Sequence, residues 1–347
     1  MSSVIGMSDR PIDSQMRLMQ TGERLLHLIY TQQLSRPLLD RLFETADKAR
    51  NLYASRLGAT FLKECLPNRR ALLYFVQPST RTFLSFHAAA TLLGLSCVHI
   101  NQPSTSSESK GESPLDSVQT FAMYNDLIVI RHPDAGFAAK CVERLMQSEV
   151  SKHIISAGSG MEQHPTQGIL DVYTLQREFG RKGGVDGRRV LIVGDLARGR
   201  AARAFIHLFA HYDDVQIDLA GPAQMSITDE MQQYLGEKGV TVRESENMDD
   251  FIRDADAIYM TRIQDEYDDQ FPVGKVDYES YSLSKERLGM MKANCAILHP
   301  LPRRSEIPVS VDRDPRSRYW EQVENGMWAR VALIAHMLNC DLRIRTA

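Results

Sequence analysis

Cysteine is sparse in this 347-residue chain. The five residues, Cys65, Cys97, Cys141, Cys295 and Cys340, are odd in number, scattered, and form no C-x-x-C pair. That excludes a disulfide framework and a paired-cysteine zinc site, and it fits reduced thiols in a cytoplasmic protein. No His, Cys and carboxylate cluster has ligand spacing, so neither a metal nor a cofactor is expected. Long apolar runs are missing too, and none approaches the ~20 residues of a membrane span. Residues 1–16 are polar and lack an apolar h-region, so they read as a mobile tail rather than a secretory signal. Positive charge is not in excess either. A net charge of −3 gives no electrostatic basis for binding nucleic acid or an anionic membrane. Any affinity for anions must come from local groups of Arg and Lys.

What is present is an ordinary globular composition with a repeated pattern. The length allows two domains, each with its own core. Short apolar runs predict strands at Ala71–Val76, Leu95–Ile100, Leu127–Ile130 and His153–Ser156. A second set is predicted at Arg189–Val193, Gln216–Ala220, Val240–Arg243, Ala257–Met260 and Ala296–Leu298. The runs are continuously apolar, as in Val190-Leu191-Ile192-Val193, which marks strands covered on both faces and hence parallel sheets. Strand–helix alternation along the whole chain predicts an α/β fold of two doubly wound domains. A polar, Gly-rich break, Arg181 to Gly187, lies near the middle. The helical stretch before it, Pro165 to Phe179, then runs between the two halves, and a final helix spans Trp320 to Leu338.

Four constellations carry chemistry. Pro78-Ser79-Thr80-Arg81-Thr82 sits between a buried strand and a helix start. Unpaired N–H groups, a positive dipole end, hydroxyls and one guanidinium there make a site for a phosphate-like anion. The alternative is a plain N-cap, which needs one hydroxyl where this turn has three and a cation. Gln163-His164-Pro165-Thr166-Gln167 opens the next helix, with His164 and Gln167 about a turn apart. There the dipole favours a neutral imidazole able to donate to a carbonyl oxygen, the alternative being a buried polar cap. His299-Pro300-Leu301-Pro302-Arg303 ends a strand in a loop whose prolines fix the backbone. Finally, Lys110, Arg131, Arg200 and Arg262 lie in loops or directly after strands, where open α/β sheets bind ligands. A dinucleotide turn is not among them: in Gly194-Asp195-Leu196-Ala197-Arg198-Gly199 the second glycine of the fingerprint is Leu196.

These motifs, with Arg131-His132-Pro133, occur in the order and spacing of the aspartate and ornithine carbamoyltransferases, and the chain resembles that family from about Leu34 to Leu338. The resemblance implies a carbamoyl-phosphate-binding domain, 17–163 plus 320–347, and an aspartate-binding domain, 164–319. His-Pro-Leu-Pro and Arg262-Ile263-Gln264 look like the aspartate branch, since an arginine suits a side-chain carboxylate and repels an ornithine ammonium. The implied reaction moves the carbamoyl group of carbamoyl phosphate to the amine of L-aspartate, an early step of pyrimidine synthesis.

By the same resemblance, Ser79, Thr80, Arg81 and Thr82 hold the phosphate. Arg131, His164 and Thr82 polarise the carbonyl oxygen, and Gln167 with the backbone at Leu301 and Pro302 holds the carbamoyl NH2. Arg200, Arg262 and Gln264 clamp the aspartate. Ser106 and Lys110 match a loop that reaches a neighbouring subunit's site, which implies a homotrimer with shared sites and domain closure on binding. A regulatory chain or another enzyme of the pathway is a further possible partner. Gln77, Phe83 and Tyr267 depart from the family pattern, where Glu, Arg and Arg are common, and put cooperativity in doubt more than chemistry.

Overall fold

The computed structural model describes residues 6–101, 107–160, 163–263 and 277–347. It divides into two compact units, Met1–Thr166 with Gly326–Ala347, and Gln167–Asn325. The two junctions fall inside helices rather than at the 163/164 and 319/320 boundaries expected from sequence. A continuous helix carries the chain across each, so no loop composition marks the change.

The first unit is built on a parallel five-stranded sheet in the order β3-β7-β6-β4-β5. The strands are β3 (His27–Leu28), β4 (Arg70–Phe75), β5 (Ser96–Ile100), β6 (Leu127–Arg131) and β7 (His153–Ser156), and a small hairpin of β1 (Gln20–Thr21) and β2 (Arg24–Leu25) precedes them. Its helices are α1 (Ile12–Met19), α2 (Arg36–Tyr53), α3 (Arg56–Lys63), α4 (Thr80–Leu92), α5 (Pro114–Tyr124), α6 (Phe137–Gln147) and the C-terminal α12 (Asp341–Arg345). Every residue of β6 is buried, as its uninterrupted apolar run requires when helices cover both faces. Leu72, Tyr74, Ile128, Ile130 and Ile154 pack with Val118 of α5 and Val142 and Leu145 of α6.

The stretch expected as a tail needs correction from Gly6 onward. The Glu143 carboxylate accepts hydrogen bonds from Met7 N (2.6 Å), Ser8 N (3.1 Å) and Ser8 Oγ (2.6 Å). Met7 and Met19 are buried in the same core. The anchor is more than 130 residues away in sequence, so polarity alone misled.

The second unit carries a parallel sheet ordered β10-β9-β8-β11-β12. Its strands are β8 (Arg189–Val193), β9 (Gln216–Ala220), β10 (Thr241–Ser245), β11 (Ala257–Met260) and β12 (Ala296–Leu298). Its helices include α8 (Arg200–Phe209), α9 (Asp229–Glu237) and α10 (Lys285–Met290), while α7 (Pro165–Phe179) and α11 (Tyr319–Met337) hold the two junctions. Among the described residues no helix is long and apolar enough to cross a membrane.

Two histidines, one in each unit, are held well below their ordinary value. Burial, with His153 nearby, holds His27 down to about 3, and its Nδ1 accepts from Ile154 N at 3.2 Å. Burial, with His211 and Arg203, holds His207 down to about 4. Unfolding lets both rings take up protons between these values and 6.5, so stability falls as pH drops below 6.5. Acidification from pH 6.5 to pH 5 is expected to cost about 2 kcal/mol per ring. Urea midpoints across that range check this, and His207→Asn should flatten the second unit's share.

Candidate active site

In an open parallel sheet, ligands bind beyond the carboxyl ends of the strands, where neighbouring strands send their connections in opposite directions. In the first unit that point lies between β4 and β6. β4 leads through α4 to β5 on one flank, whereas β6 lies on the other. The sequence-predicted anion turn follows β4, and Arg131 is the last residue of β6. The two ends are in register, Phe75 opposite Arg131, and Gln77 N donates to Arg131 O at 3.2 Å.

α4 begins at Thr80 behind Ser79, whose backbone is extended and whose hydroxyl makes no capping hydrogen bond. The plain-cap alternative therefore does not describe this turn. Thr80 and Arg81 are exposed, Ser79 is half-buried and Thr82 is buried. Arg131 is buried, and its Nη1 donates to Ala157 O at 2.9 Å. Gly158 adopts a φ of +94°, and a Cβ there would lie 3.2 Å from Arg131 Nη1 and 3.4 Å from His164 Cδ2. Gly158 thus stands beside both the guanidinium and the imidazole, in a backbone conformation that residues with a side chain rarely adopt.

Behind His164 runs a chain of contacts that sequence reasoning missed. His164 is buried, and its Nδ1 lies 3.5 Å from Thr166 Oγ1. Thr166 Oγ1 accepts from Arg330 Nη2 at 3.3 Å, and the Arg330 guanidinium lies over the Phe86 ring of α4 at 4.9 Å. The threonine hydroxyl can donate to Nδ1, and that tautomer places the ring proton on Nε2, where it can donate. Thr166→Val removes the hydroxyl at nearly constant volume. A roughly tenfold fall in turnover is expected, the worth of one hydrogen bond, with the KM for the amine substrate unchanged. Steady-state kinetics of the variant check it.

The second unit repeats the geometry. Its switch point lies between β8 and β11, because β9 and β10 continue on one side and β12 on the other. Arg200 opens α8 after β8, and Arg262 follows β11. Thr261 binds the two strand ends together, its N and Oγ1 both donating to Val193 O at 2.8 and 2.9 Å. The approach is close enough that a Cβ on Gly194, at φ +115°, would overlap the Thr261 carbonyl oxygen. This glycine serves strand packing. The rest of its turn is filled by the buried Asp195–Arg198 pair, Oδ2 to Nε 2.7 Å, which leaves the dinucleotide reading without support.

A buried carboxylate organises the remaining residues of this unit. Asp171 Oδ1 accepts from Gln167 Nε2 (2.8 Å) and Gln322 Nε2 (2.6 Å), and Oδ2 accepts from Tyr259 OH (2.7 Å). With its nitrogen turned to Asp171, Gln167 keeps its amide oxygen as the acceptor it can offer a ligand. Gln322 Oε1 in turn accepts from His299 N at 2.9 Å. His299 Nδ1 accepts from Leu301 N at 2.7 Å, so Nε2 carries the proton it shares with Glu306 Oε1 at 2.8 Å. Burial alone would raise the Glu306 carboxyl, but hydrogen bonds from His299 and the Arg304 amide hold it below its usual value. Leu301 is thereby held at φ +54°, ahead of a cis bond to Pro302. A leucine in the left-handed region costs about 1–2 kcal/mol, which the His299 contacts offset. Arg303 pairs with Asp312 and lies over the Tyr319 and Trp320 rings, so it is part of the scaffold.

Residues 26–177 match the family model described as the aspartate/ornithine carbamoyltransferase carbamoyl-P binding domain, and residues 186–337 match its Asp/Orn binding domain. The chain belongs to the aspartate/ornithine carbamoyltransferase family. It is 38% identical over 315 residues to the aspartate carbamoyltransferase catalytic subunit of Cenarchaeum symbiosum, covering 90% of this chain and 96% of the relative. Against aspartate carbamoyltransferase 1, chloroplastic, of Pisum sativum it is 36% identical over 313 residues, covering 90% and 78%. Among solved structures, the catalytic subunit of M. jannaschii aspartate transcarbamoylase superposes with a TM-score of 0.77 at 31% identity, covering 91% and 98%.

Two residues expected in this family site, Ser106 and Gln264, lie outside the described residues, as does the departure at Tyr267. Lys110 ends a short 3-10 helix, Ser107–Lys110, and is exposed. The other two departures are visible. Phe83 stands edge-on to Phe75 at 5.6 Å and to His99 at 5.3 Å. The Gln77 Oε1 atom is buried and has no hydrogen-bond partner among the described residues.

Proposed function

We propose that the chain is an aspartate carbamoyltransferase, transferring the carbamoyl group of carbamoyl phosphate to the amine of L-aspartate to give N-carbamoyl-L-aspartate and phosphate, in de novo pyrimidine synthesis. The observation that carries this reading is the pair of switch points. One gathers hydroxyls, a helix N-terminus and the arginines Arg81 and Arg131. The other sets Arg200 and Arg262 after neighbouring strands. A solved Trypanosoma cruzi aspartate transcarbamoylase in complex with carbamoyl phosphate and aspartate, 29% identical with a TM-score of 0.77, supports it.

In this reading Ser79, Thr80, Arg81 and Thr82 bind the phosphate at the start of α4. Arg131, Thr82 and the Nε2–H of His164 donate to the carbonyl oxygen and stabilise the oxyanion that forms when the amine adds. The Gln167 oxygen and the backbone at Leu301 and Pro302 accept from the carbamoyl NH2, and so fix the plane of the group under attack. Arg200, Arg262 and Gln264 clamp the aspartate carboxylates, in bidentate fashion where an arginine faces a carboxylate. No side chain is assigned as base. The departing phosphate takes the amine proton, and the protein contributes orientation. Ser106 and Lys110 complete the site of a neighbouring copy in a homotrimer. A regulatory chain or another enzyme of the pathway is a further partner, in keeping with the 35% identity to multifunctional protein pyr1-3 of Dictyostelium discoideum. A cytoplasmic site of action belongs to the same reading, although the Pisum sativum relative is chloroplastic.

The test supplies carbamoyl phosphate with L-aspartate, L-ornithine or N-acetyl-L-ornithine in parallel. Product with aspartate alone is expected. Turnover only with ornithine or its acetyl derivative would keep the phosphate site and overturn the assignment of Arg262.

A further inference from the structure

Two of the five cysteines meet. Cys65 follows α3, and Cys340 is the N-cap of α12, the last helix of the chain. Their thiols share a hydrogen bond. The contact is framed on both sides. Arg343, one turn into α12, donates from Nη1 to Glu64 O at 3.0 Å and lies over the Phe61 ring at 4.9 Å. Cys65 Sγ donates to Phe61 O at 3.4 Å, and Cys340 N donates to Ala335 O at 2.8 Å. The start of α12 is thereby held against the end of α3, next to Cys65. Cys65 is half-buried and Cys340 buried, so an oxidant from solution reaches the first before the second.

We propose that Cys65 and Cys340 are a reversible dithiol–disulfide site, closed by a peroxide or by a low-molecular-weight disulfide and reopened by thiols. With hydrogen peroxide, the Cys65 thiolate attacks one oxygen, the O–O bond breaks, and hydroxide leaves and is protonated to water. The sulfenic acid left on Cys65 is then attacked by the Cys340 sulfur, which gives up its proton. The S–O bond breaks, a second water departs and the S–S bond forms. Two thiols are oxidised and one peroxide is reduced to two waters.

The chemistry of the pair suits this order. The hydrogen bond from Cys340 lowers the Cys65 thiol against the upward push of burial, with Arg343 also lowering it, whereas Cys340 is raised by the same hydrogen bond and by burial. One sulfur is the attacking thiolate and the other the resolving thiol. The remaining three are poorer candidates. Burial pushes Cys97 up to about 11 and Cys295 up to about 12, and it raises Cys141 further.

The position gives the bond leverage. Leu66 N donates to Leu93 O at 2.9 Å, so Cys65 is tied to the far end of α4, the helix whose start carries the anion turn. Cys340 follows α11, the helix that carries Arg330. A bond here closes the chain between its first quarter and its last residues, and cross-links spanning long loops restrict the unfolded chain most.

The reduced full-length protein, treated with one equivalent of hydrogen peroxide or with a glutathione redox buffer, is expected to lose two of five titratable thiols. Its intact mass falls by two hydrogen atoms, and a peptide pair joining Cys65 to Cys340 appears that dithiothreitol separates. The thermal midpoint rises by roughly 5–10 °C on closure. Cys340→Ser is expected to stop at a glutathione adduct on Cys65, while Cys97→Ser behaves as the parent. Five thiols surviving the oxidant would overturn the proposal. So would a linkage between other cysteines, over-oxidation of Cys65 without a bond to Cys340, or a linked form that melts lower than the reduced one.

Discussion

Arg131→Ala is expected to lower turnover about 100- to 1,000-fold, the loss measured when one donor is taken from a preorganised oxyanion site. Three facts set the size. The guanidinium is buried, so its charge acts through little water. It ends β6 beside the anion turn, in register with Phe75. Its Nη1 is fixed on Ala157 O at 2.9 Å, so the group is oriented before substrate arrives and needs no rearrangement at the moment of reaction. On the proposed assignment the KM for carbamoyl phosphate rises as well, whereas the KM for aspartate, bound by Arg200 and Arg262, moves little. Arg131→Lys separates charge from shape. A lysine keeps the charge but not the planar fork, and more than a tenfold loss is still expected. Loss of the Ala157 contact costs stability only about 1 kcal/mol, so a thermal midpoint within a few degrees of the parent shows that the defect is catalytic. A variant that turns over within threefold of the parent would remove Arg131 from the oxyanion site.

The sequence pattern carried the scaffold because parallel strands buried on both faces must be apolar throughout. His153–Ser156, Arg189–Val193, Gln216–Ala220, Ala257–Met260 and Ala296–Leu298 lie where their runs predict. The two-residue β3 lies in the run Leu25-Leu26-His27-Leu28-Ile29-Tyr30, which is not among the predicted strands. Candidate site residues were legible where they stand at the carboxyl end of a strand, since that position is itself readable: Arg131 at the end of β6, Arg262 after β11, Ser79 to Thr82 after β4. The supporting network was not. Asp171 stands four residues after Gln167, a spacing that puts both on one helix face, and that half was available. Its other partners, Tyr259 and Gln322, are 88 and 151 residues away, and nothing local announces them. Thr166 reads as an ordinary first-turn threonine until Arg330, 164 residues on, is found donating to it.

Asp171→Ala is expected to be the most damaging single change in the second unit, and Asp171→Asn a mild one. Asp171 is wholly buried and accepts from the buried Gln322 amide and Tyr259 hydroxyl and from the half-buried Gln167 amide. Alanine leaves all three without that acceptor. At about 1–3 kcal/mol for each buried donor, and with neighbours relaxing together, a loss of about 3–5 kcal/mol is reasonable. On the proposed assignment it reaches the chemistry by two routes. Gln167 is released to rotate, and Gln322 no longer holds the His299 amide, which steadies Leu301 in its left-handed conformation. The KM for carbamoyl phosphate should therefore rise and turnover fall together, by about 10- to 100-fold in the ratio, as for a lost pair of positioning contacts. Asparagine keeps the Oδ1 acceptor for the two amides. Its NH2 then faces the Tyr259 hydroxyl, which can turn from donating to accepting. Removing a buried charge also relieves desolvation, so the net cost should stay below about 1.5 kcal/mol. Urea denaturation and steady-state kinetics of the two variants, side by side, decide the matter. If asparagine proves as damaging as alanine, the negative charge itself is what the site needs, and the hydrogen-bond account of Gln167 and Leu301 fails.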